Sequence, residues 1–280
     1  MESTTTRAIR KVAVLGSGVM GSGIALHFAN IGVEVLLLDI VPFDLKEEEK
    51  SNPKLRNRIV NDAFAFALKW KPAQAYNAES AKRVTLGNFD DDMSKIKDVD
   101  WVIEVVIERL DIKQQVFEKV EKYIKPGTLV TSNTSGIPIH LLEEGRSETF
   151  KKNFAGTHFF NPPRYLRLLE IIPTPSTSQE TVDFLMHYGD VYLGKETVLC
   201  KDTPAFIANR VGVYAMAKIF QLTQELGLTI EEVDALTGPA IGRPKTGTFK
   251  LSDLVGNDTG TKVMMGIKEN CPNDEQAPAF

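Results

Sequence analysis

Lys11-Val-Ala-Val-Leu15-Gly16-Ser-Gly18-Val-Met-Gly21-Ser-Gly-Ile24 is the stretch whose reading decides the fold. Lys11 to Leu15 is a short apolar run and predicts a buried strand. A glycine-rich turn follows, and Ile24 to Asn30 predicts a helix that stops near Gly32. Val33 to Asp39 predicts a second strand, which completes a strand–helix–strand unit of about 30 residues, the size of a parallel crossover. In that setting Gly16, Gly18 and Gly21 fit G-x-G-x-x-G, the fingerprint of a dinucleotide site. The first glycine permits the tight turn, the second lets the backbone approach a pyrophosphate, and the third lets helix and strand pack closely. The helix N-terminus offers N–H groups and a partial positive charge to the phosphates.

Asp39 closes the second strand at about the 20-residue distance expected of the acid that holds the ribose hydroxyls. A carboxylate there repels a 2′-phosphate, and Ile40-Val41-Pro42 supplies no arginine to receive one. The residues therefore favour NAD over NADP as cofactor.

Outward from this unit, residues 42–82 are rich in Lys, Glu, Arg and Ala, with Ile59, Ala63, Phe66 and Ala67 at helical spacing. They predict a helical excursion of one or two helices. Strand signals resume at Arg83–Leu86, Trp101–Val106 and Thr128–Ser132, then at Phe154–Phe160, Leu166–Ile172 and Thr197–Cys200. This alternation predicts an α/β fold over residues 8–200, a Rossmann-type doubly wound, mostly parallel sheet. Beyond Lys201 the pattern turns helical. Thr203 is the expected N-cap with Pro204 at the first helical position, and Gly227 ends that helix. Thr229-Ile-Glu-Glu232 is a capping box opening the next. With no strand candidate after it, residues 201–280 are expected to form an all-helical second domain.

Hydrophobic residues make up 42% of the 280 and charged residues 25%, the balance of a soluble globular chain. The net charge of −4 and scattered basic residues argue against a nucleic-acid partner. Val33 to Leu38 falls far short of a membrane span, and Met1 to Thr6 is polar and short, unlike a secretory signal. Cys200 and Cys271 stand far apart without metal-ligand spacing, as two unrelated thiols of a reducing compartment do. A cytoplasmic protein with no membrane partner and no metal is expected.

The chemistry concentrates in Phe154-Ala-Gly-Thr-His158-Phe-Phe-Asn161-Pro-Pro-Arg164 and in Glu170, which lies in the next apolar run. Two strands around an Asn-Pro-Pro-Arg turn are predicted. Arg164 is midway between His158 and Glu170, so a hairpin places the two opposite one another. A histidine held by a carboxylate suits the oxidation of a hydroxyl: the imidazole takes the proton and the carboxylate steadies the imidazolium.

With these motifs on the page, the sequence resembles the 3-hydroxyacyl-CoA dehydrogenases. The resemblance is carried by Gly16 to Ala25, Asn133-Thr-Ser135, His158-Phe-Phe-Asn-Pro162, Glu170 and Lys201-Asp-Thr-Pro-Ala-Phe-Ile-Ala-Asn209-Arg, and runs from about residue 8 to 260. It implies oxidation of an (S)-3-hydroxyacyl-CoA to the 3-ketoacyl-CoA, as in fatty-acid β-oxidation, with the acyl chain entering between the two domains. By the same resemblance His158 is the general base and Glu170 its partner. Ser135 and Asn209 hold the substrate and its thioester oxygen, and Asn161 sits by the nicotinamide. Glu108 and Lys113 lie near the cofactor ribose, with Asn133 a further candidate, and Lys69 is the candidate for the 3′-phospho-ADP of CoA.

The resemblance also implies more helical segments after Gly256-Asn-Asp-Thr259 than the sequence up to Phe280 holds, hence an incomplete second domain, and a homodimer where that domain is complete. Pro239-Ala-Ile-Gly-Arg243-Pro-Lys245 is most similar to the version fused to an enoyl-CoA hydratase, which makes a fused or associated hydratase an expected partner. Two other readings are a β-hydroxyacid dehydrogenase acting on free acids and a non-catalytic NAD-binding structural relative. The first relies on a helix lysine rather than a His–Glu pair; the second does not require His158, Glu170, Ser135 and Asn209 together.

Overall fold

The computed structural model describes residues 7–274. The polar start Met1 to Thr6 and the chain's last residues to Phe280, on which two expectations rest, lie outside them. The chain divides between Asp202 and Thr203 into two compact units.

In the first unit β1 (Lys11–Leu15), β2 (Glu34–Asp39), β3 (Val84–Asn88), β4 (Trp101–Glu104), β5 (Leu129–Ser132), β6 (Phe154–Phe159), β7 (Leu168–Pro173) and β8 (Glu196–Leu199) form one sheet. Their order is β3-β2-β1-β4-β5-β6-β7-β8. Every neighbouring pair is parallel except β6–β7. The helices between the strands are α1 (Val19–Asn30), α2 (Pro53–Arg56), α3 (Arg58–Ala67), α4 (Ala78–Ala81), α5 (Leu110–Tyr123), α6 (Ile139–Leu142), α7 (Glu148–Lys152) and α8 (Gln179–Val191).

Helices cover both faces of the sheet, which is why its central strands read as unbroken apolar runs rather than alternating ones. Val12 to Leu15 have no exposed surface. On one face Phe28 of α1 meets Trp101 edge-on at 5.3 Å, and Trp101 meets Tyr188 of α8 at 5.8 Å. Truncating such a ring to alanine costs about 3–5 kcal/mol. The other face holds Phe154 against Phe117 of α5 and Phe150 of α7, at 5.1 and 5.3 Å. Polar side chains of β4, β5 and β6 pair with one another across this core. Trp101 Nε1–H donates to Thr131 Oγ1 at 3.0 Å, and Thr157 Oγ1 donates to the same oxygen at 2.8 Å.

The expected strands are present with ends shifted by a few residues. The strand expected to run to Val106 stops at Glu104, because the Val106 N–H turns back to the Glu104 carboxylate at 2.6 Å. Helix α1 opens at Val19, ahead of Ile24, since the glycine turn itself winds into it. The excursion is more broken than one or two helices: a 3₁₀ turn at Glu47–Glu49 precedes α2, α3 and α4. Pro53 starts α2, and Pro72, which has no N–H to give a helix, lies between α3 and α4.

The second unit contains α9 (Ala208–Leu226), α10 (Ile230–Leu236), α11 (Phe249–Val255) and α12 (Asn257–Asn270), and no strand among its described residues. Gly227 ends α9 in the left-handed region and the Thr229–Glu232 capping box is formed. The expected helix start at Thr203–Pro204 is corrected. Ala205 and Phe206 lie at φ +61° and +50°, so the chain turns, with the Phe206 N–H on the Thr203 carbonyl, and α9 begins only at Ala208.

An L-residue in that region costs about 1–2 kcal/mol. Glycine removes this strain and returns part of it as unfolded-chain freedom. Ala205→Gly should therefore stabilise the second unit by about 0.5–1 kcal/mol, measured as a raised urea midpoint.

His27 gives a pH prediction. It is buried on α1, with Nε2 3.1 Å from the Leu193 carbonyl oxygen. Burial first, then the Lys195 ammonium and Arg164, push its pKa down to about 4, against the Leu193 carbonyl. The folded state thus holds a neutral ring, while the unfolded chain takes up the proton near pH 6.5. The contribution is fully present above that value and is lost as pH falls toward 4, by up to about 3 kcal/mol. Urea unfolding across this window should be flatter for His27→Gln than for the wild type.

Candidate active site

β1, β4, β5 and β6 run parallel, so Leu15, Glu104, Ser132 and Phe159 end on one edge of the sheet. β1 pairs with both β2 and β4, and the chain's progress through the sheet reverses there, where open α/β sheets bind ligands. Gly16 sits at φ +104°, and a Cβ on it would stand 2.5 Å from the Val105 carbonyl oxygen. A Cβ on Gly21 would lie 1.8 Å from the Gly16 carbonyl oxygen, whereas one on Gly18 would meet nothing within 4 Å. The first and third glycines are thus required for packing, and the second faces open space at the N-terminus of α1.

Beside it the Asp39 carboxylate accepts from Ser17 N–H at 2.6 Å, Ser17 Oγ at 2.5 Å and Ile40 N–H at 2.7 Å. A cleft of about 950 Å³ runs along Gly16, Gly18, Asp39, Val106 and Ile107. These residues fit a dinucleotide: an open glycine, a helix N-terminus and a fixed carboxylate share one cleft.

At the end of β6, His158 pairs in register with Glu170 of β7. His158 Nδ1 is 2.7 Å from Glu170 Oε2, and both side chains are buried. The antiparallel hairpin expected around Arg164 is therefore formed. Asn133 ties this end of the hairpin to the neighbouring strand, its Oδ1 accepting from Phe159 N–H and its own N–H donating to the Glu104 carbonyl, both at 2.8 Å. The turn is anchored as well. Arg164 Nη1 donates to the Ala73 and Ala75 carbonyls at 2.6 and 3.0 Å, with its guanidinium 4.5 Å over the Tyr76 ring. The buried Lys195 ammonium donates to the Pro163 and Leu166 carbonyls, and burial lowers its pKa to about 8.

Between the glycine turn and the hairpin, Lys113 is almost fully buried. Its Nζ is 2.8 Å from Glu104 Oε1 and 3.3 Å from Glu108 Oε2. Glu108 Oε1 accepts from Thr134 Oγ1 and, at 3.0 Å each, from the N–H groups of Ser135 and Gly136. Partial burial works to raise the Glu108 carboxyl, but Lys113 and these three donors hold it below the ordinary carboxylate range. Glu104 goes the other way. Complete burial pushes its carboxyl up despite Lys113, Ser132 and the Val106 N–H.

The first unit thus brings Gly16, Gly18, Asp39, Glu108, Asn133, Ser135, His158 and Glu170 to one edge, with Asn161 exposed on the hairpin turn. Lys69 is apart from them, exposed in the turn that closes α3. Asn209 is half-buried in the first turn of α9, in the second unit.

A model of the 3-hydroxyacyl-CoA dehydrogenase NAD-binding domain matches residues 11–203, and that of the C-terminal domain matches residues 206–280. The chain belongs to the 3-hydroxyacyl-CoA dehydrogenase family. The "probable 3-hydroxyacyl-CoA dehydrogenase" of Bacillus subtilis is 49% identical over 274 residues, 96% of this chain and 35% of that protein. Its namesake in Deinococcus radiodurans is 46% identical over 95% of this chain and 75% of its own length. Among solved structures, the (S)-3-hydroxybutyryl-CoA dehydrogenase of Ralstonia eutropha is similar at a TM-score of 0.76 and 26% identity, over 96% of this chain and 90% of that one. The chain therefore spans about a third of the Bacillus relative and three quarters of the Deinococcus one.

In this family member the NAD-binding unit uses residues that sequence reading passed over. Ser17 holds Asp39, Lys195 holds the hairpin turn, and Glu104 holds Lys113. Glu104 carried a signal, a charged residue inside the apolar run Trp101–Val106. Lys195, in a polar stretch next to Gly194, carried none.

Asp39→Ala should weaken NADH binding and narrow the preference over NADPH, measured by fluorescence titration of both. An unchanged ratio of the two affinities removes Asp39 from the ribose site.

Proposed function

We propose that the chain oxidises the 3-hydroxyl of (S)-3-hydroxyacyl-CoA to the 3-ketoacyl-CoA with NAD, in fatty-acid β-oxidation or related acyl-CoA metabolism. The observation that carries this reading is the buried His158–Glu170 pair on the same sheet edge as the glycine turn. With Nδ1 directed to Glu170, Nε2 of His158 takes the hydroxyl proton as C3 gives up its hydride. Glu170 steadies the imidazolium that results. NAD, when bound, supplies the acceptor for that hydride.

The glycine turn Gly16–Gly21 holds the pyrophosphate and Asp39 the adenosine ribose. Glu108, with Lys113 behind it, lies near the cofactor ribose, and Asn161 lies by the nicotinamide. Ser135 and Asn209 hold the substrate and its thioester oxygen, Asn133 keeps the end of β6 in place, and Lys69 meets the CoA phosphate. Family membership supports these roles, as does the shared edge for the first-unit residues other than Lys69.

The chain works in the cytoplasm, and as a homodimer where its helical domain is complete. Support for the first is the wide separation of Cys200 and Cys271, two thiols suited to a reducing compartment. Support for the second is the exposure of Leu226, Leu236, Leu254 and Val255 on the helical unit. The resemblance to two Rickettsia proteins, each named a putative fatty acid oxidation complex trifunctional enzyme, at 39% and 36% identity, supports a fused or associated enoyl-CoA hydratase.

The reaction is tested in reverse by following NADH consumption with acetoacetyl-CoA beside free acetoacetate. Turnover with the thioester alone is expected, and turnover with the free acid would overturn the substrate class. His158→Ala should lower turnover by about 10²- to 10⁴-fold with NADH affinity nearly unchanged; equal loss of both would make His158 structural.

A further inference from the structure

Glu104 is a fully buried carboxylate that sits outside the dyad and outside the glycine turn. It ends β4, and its side chain gathers groups from three segments. Oε1 accepts from Lys113 Nζ of α5 at 2.8 Å and from Val106 N–H at 2.6 Å, while Oε2 accepts from Ser132 Oγ of β5 at 2.5 Å. Ser132 Oγ in turn accepts from Thr134 N–H at 3.2 Å, at the start of the loop that carries Ser135.

A charge buried this deeply is costly unless it is paired and its remaining lone pairs are satisfied. Glu104 meets both conditions, and the pairing has a direction. Lys113 also donates to the Val106 carbonyl at 3.1 Å, so its ammonium is held at a fixed point under the β4–α5 loop. From there it reaches Glu108, whose other oxygen receives Thr134, Ser135 and Gly136. The chain of contacts runs from Glu104 to Lys113, to Glu108, to the 134–136 loop. It joins the side proposed to hold the cofactor to the side proposed to hold the substrate.

We propose that Glu104 is a positioning residue that acts through Lys113. It fixes the ammonium at the point from which Glu108 is held on the 134–136 loop, so that the ribose contact and Ser135 share one support. This rests on the roles proposed above for Glu108 and Ser135. Without the Glu104 charge, Lys113 has Glu108 as its remaining carboxylate and draws it away from the loop N–H groups.

The test is a double-mutant cycle in the full chain: wild type, Glu104→Gln, Lys113→Met and the double variant, read by NADH fluorescence titration and thermal unfolding. Glutamine keeps the size of the side chain and an oxygen for Lys113 while removing the charge. Glu104→Gln should raise the Kd for NADH by about tenfold, and also raise the KM for acetoacetyl-CoA. In the Lys113→Met background the same substitution should change the Kd by less than about twofold, because the route it acts through is gone. An equal effect in both backgrounds would overturn the proposal, since Glu104 would then act through Ser132 or on general stability. So would an unchanged Kd in a folded Glu104→Gln protein. Where Glu104→Gln alone fails to fold, the Lys113→Met pair still decides: a tenfold difference between its members overturns the proposal, and a difference within twofold supports it. NADH affinity is read without substrate, so a wild type that leaves acetoacetyl-CoA untouched would sink the proposed reaction and leave this test standing.

Discussion

Parallel pairing of β1 with both β2 and β4 is the constraint on which the rest of the structure depends. Parallel neighbours direct their carboxyl ends to the same edge, so the glycine turn after β1, the Glu104 loop after β4 and the Asn133 loop after β5 have one place to go. β6 continues the same direction and delivers His158 there. The single antiparallel step, β6 to β7, then brings Glu170 back beside His158 without leaving that edge. The His158–Glu170 pair and the glycine turn meet because of strand direction, not because of any contact between them.

Burial decides how each charged group on this edge behaves. Glu104 and Glu108 are four residues apart and both touch Lys113, yet their carboxyls shift in opposite directions. Complete burial outweighs the partners of Glu104. Glu108 is nearly half exposed at its side chain, and three donors together with Lys113 outweigh its partial burial. The result is a support that is dry at its base and open at its tip. Lys195 and Arg164 anchor the hairpin turn in different ways: Lys195 donates to the turn's own carbonyls, of Pro163 and Leu166, whereas Arg164 reaches from the turn to those of Ala73 and Ala75 in the excursion.

What the sequence made legible follows from periodicity and local chemistry. Apolar runs of strand length and the glycine spacing act within a few residues, and the place of Asp39 follows from the fixed size of a strand–helix–strand unit. The His158–Glu170 register was legible because a hairpin has a midpoint, and Arg164 marks it. The corrected features depend on backbone torsions or on distant partners. Ala205 and Phe206 read as helix by composition, and nothing in their side chains announces a left-handed turn. The fragments of the 42–82 excursion follow its prolines, whose breaking effect was present in the sequence and was outweighed in reading by the helical spacing of Ile59, Ala63 and Phe66. Lys195 and Ser17 were silent because their partners are backbone groups or a carboxylate far along the chain.

The strand order also governs how the chain looks while it is being made. β1 lies in the interior of the finished sheet, yet its partners arrive from opposite ends of a long interval: β2 at once, β4 only when Trp101 to Glu104 have been added. Until then the most apolar strand of the unit keeps one row of N–H and C=O groups open to any other extended segment, which is the condition for wrong pairing or association. The residues synthesised in that interval include Glu47-Glu-Glu-Lys50 and the Lys- and Arg-rich excursion around it. They are poor strand formers, and apart from β3, which belongs on β2, they offer the waiting edge little to pair with. The excursion thus places few strand formers beside an unfinished sheet.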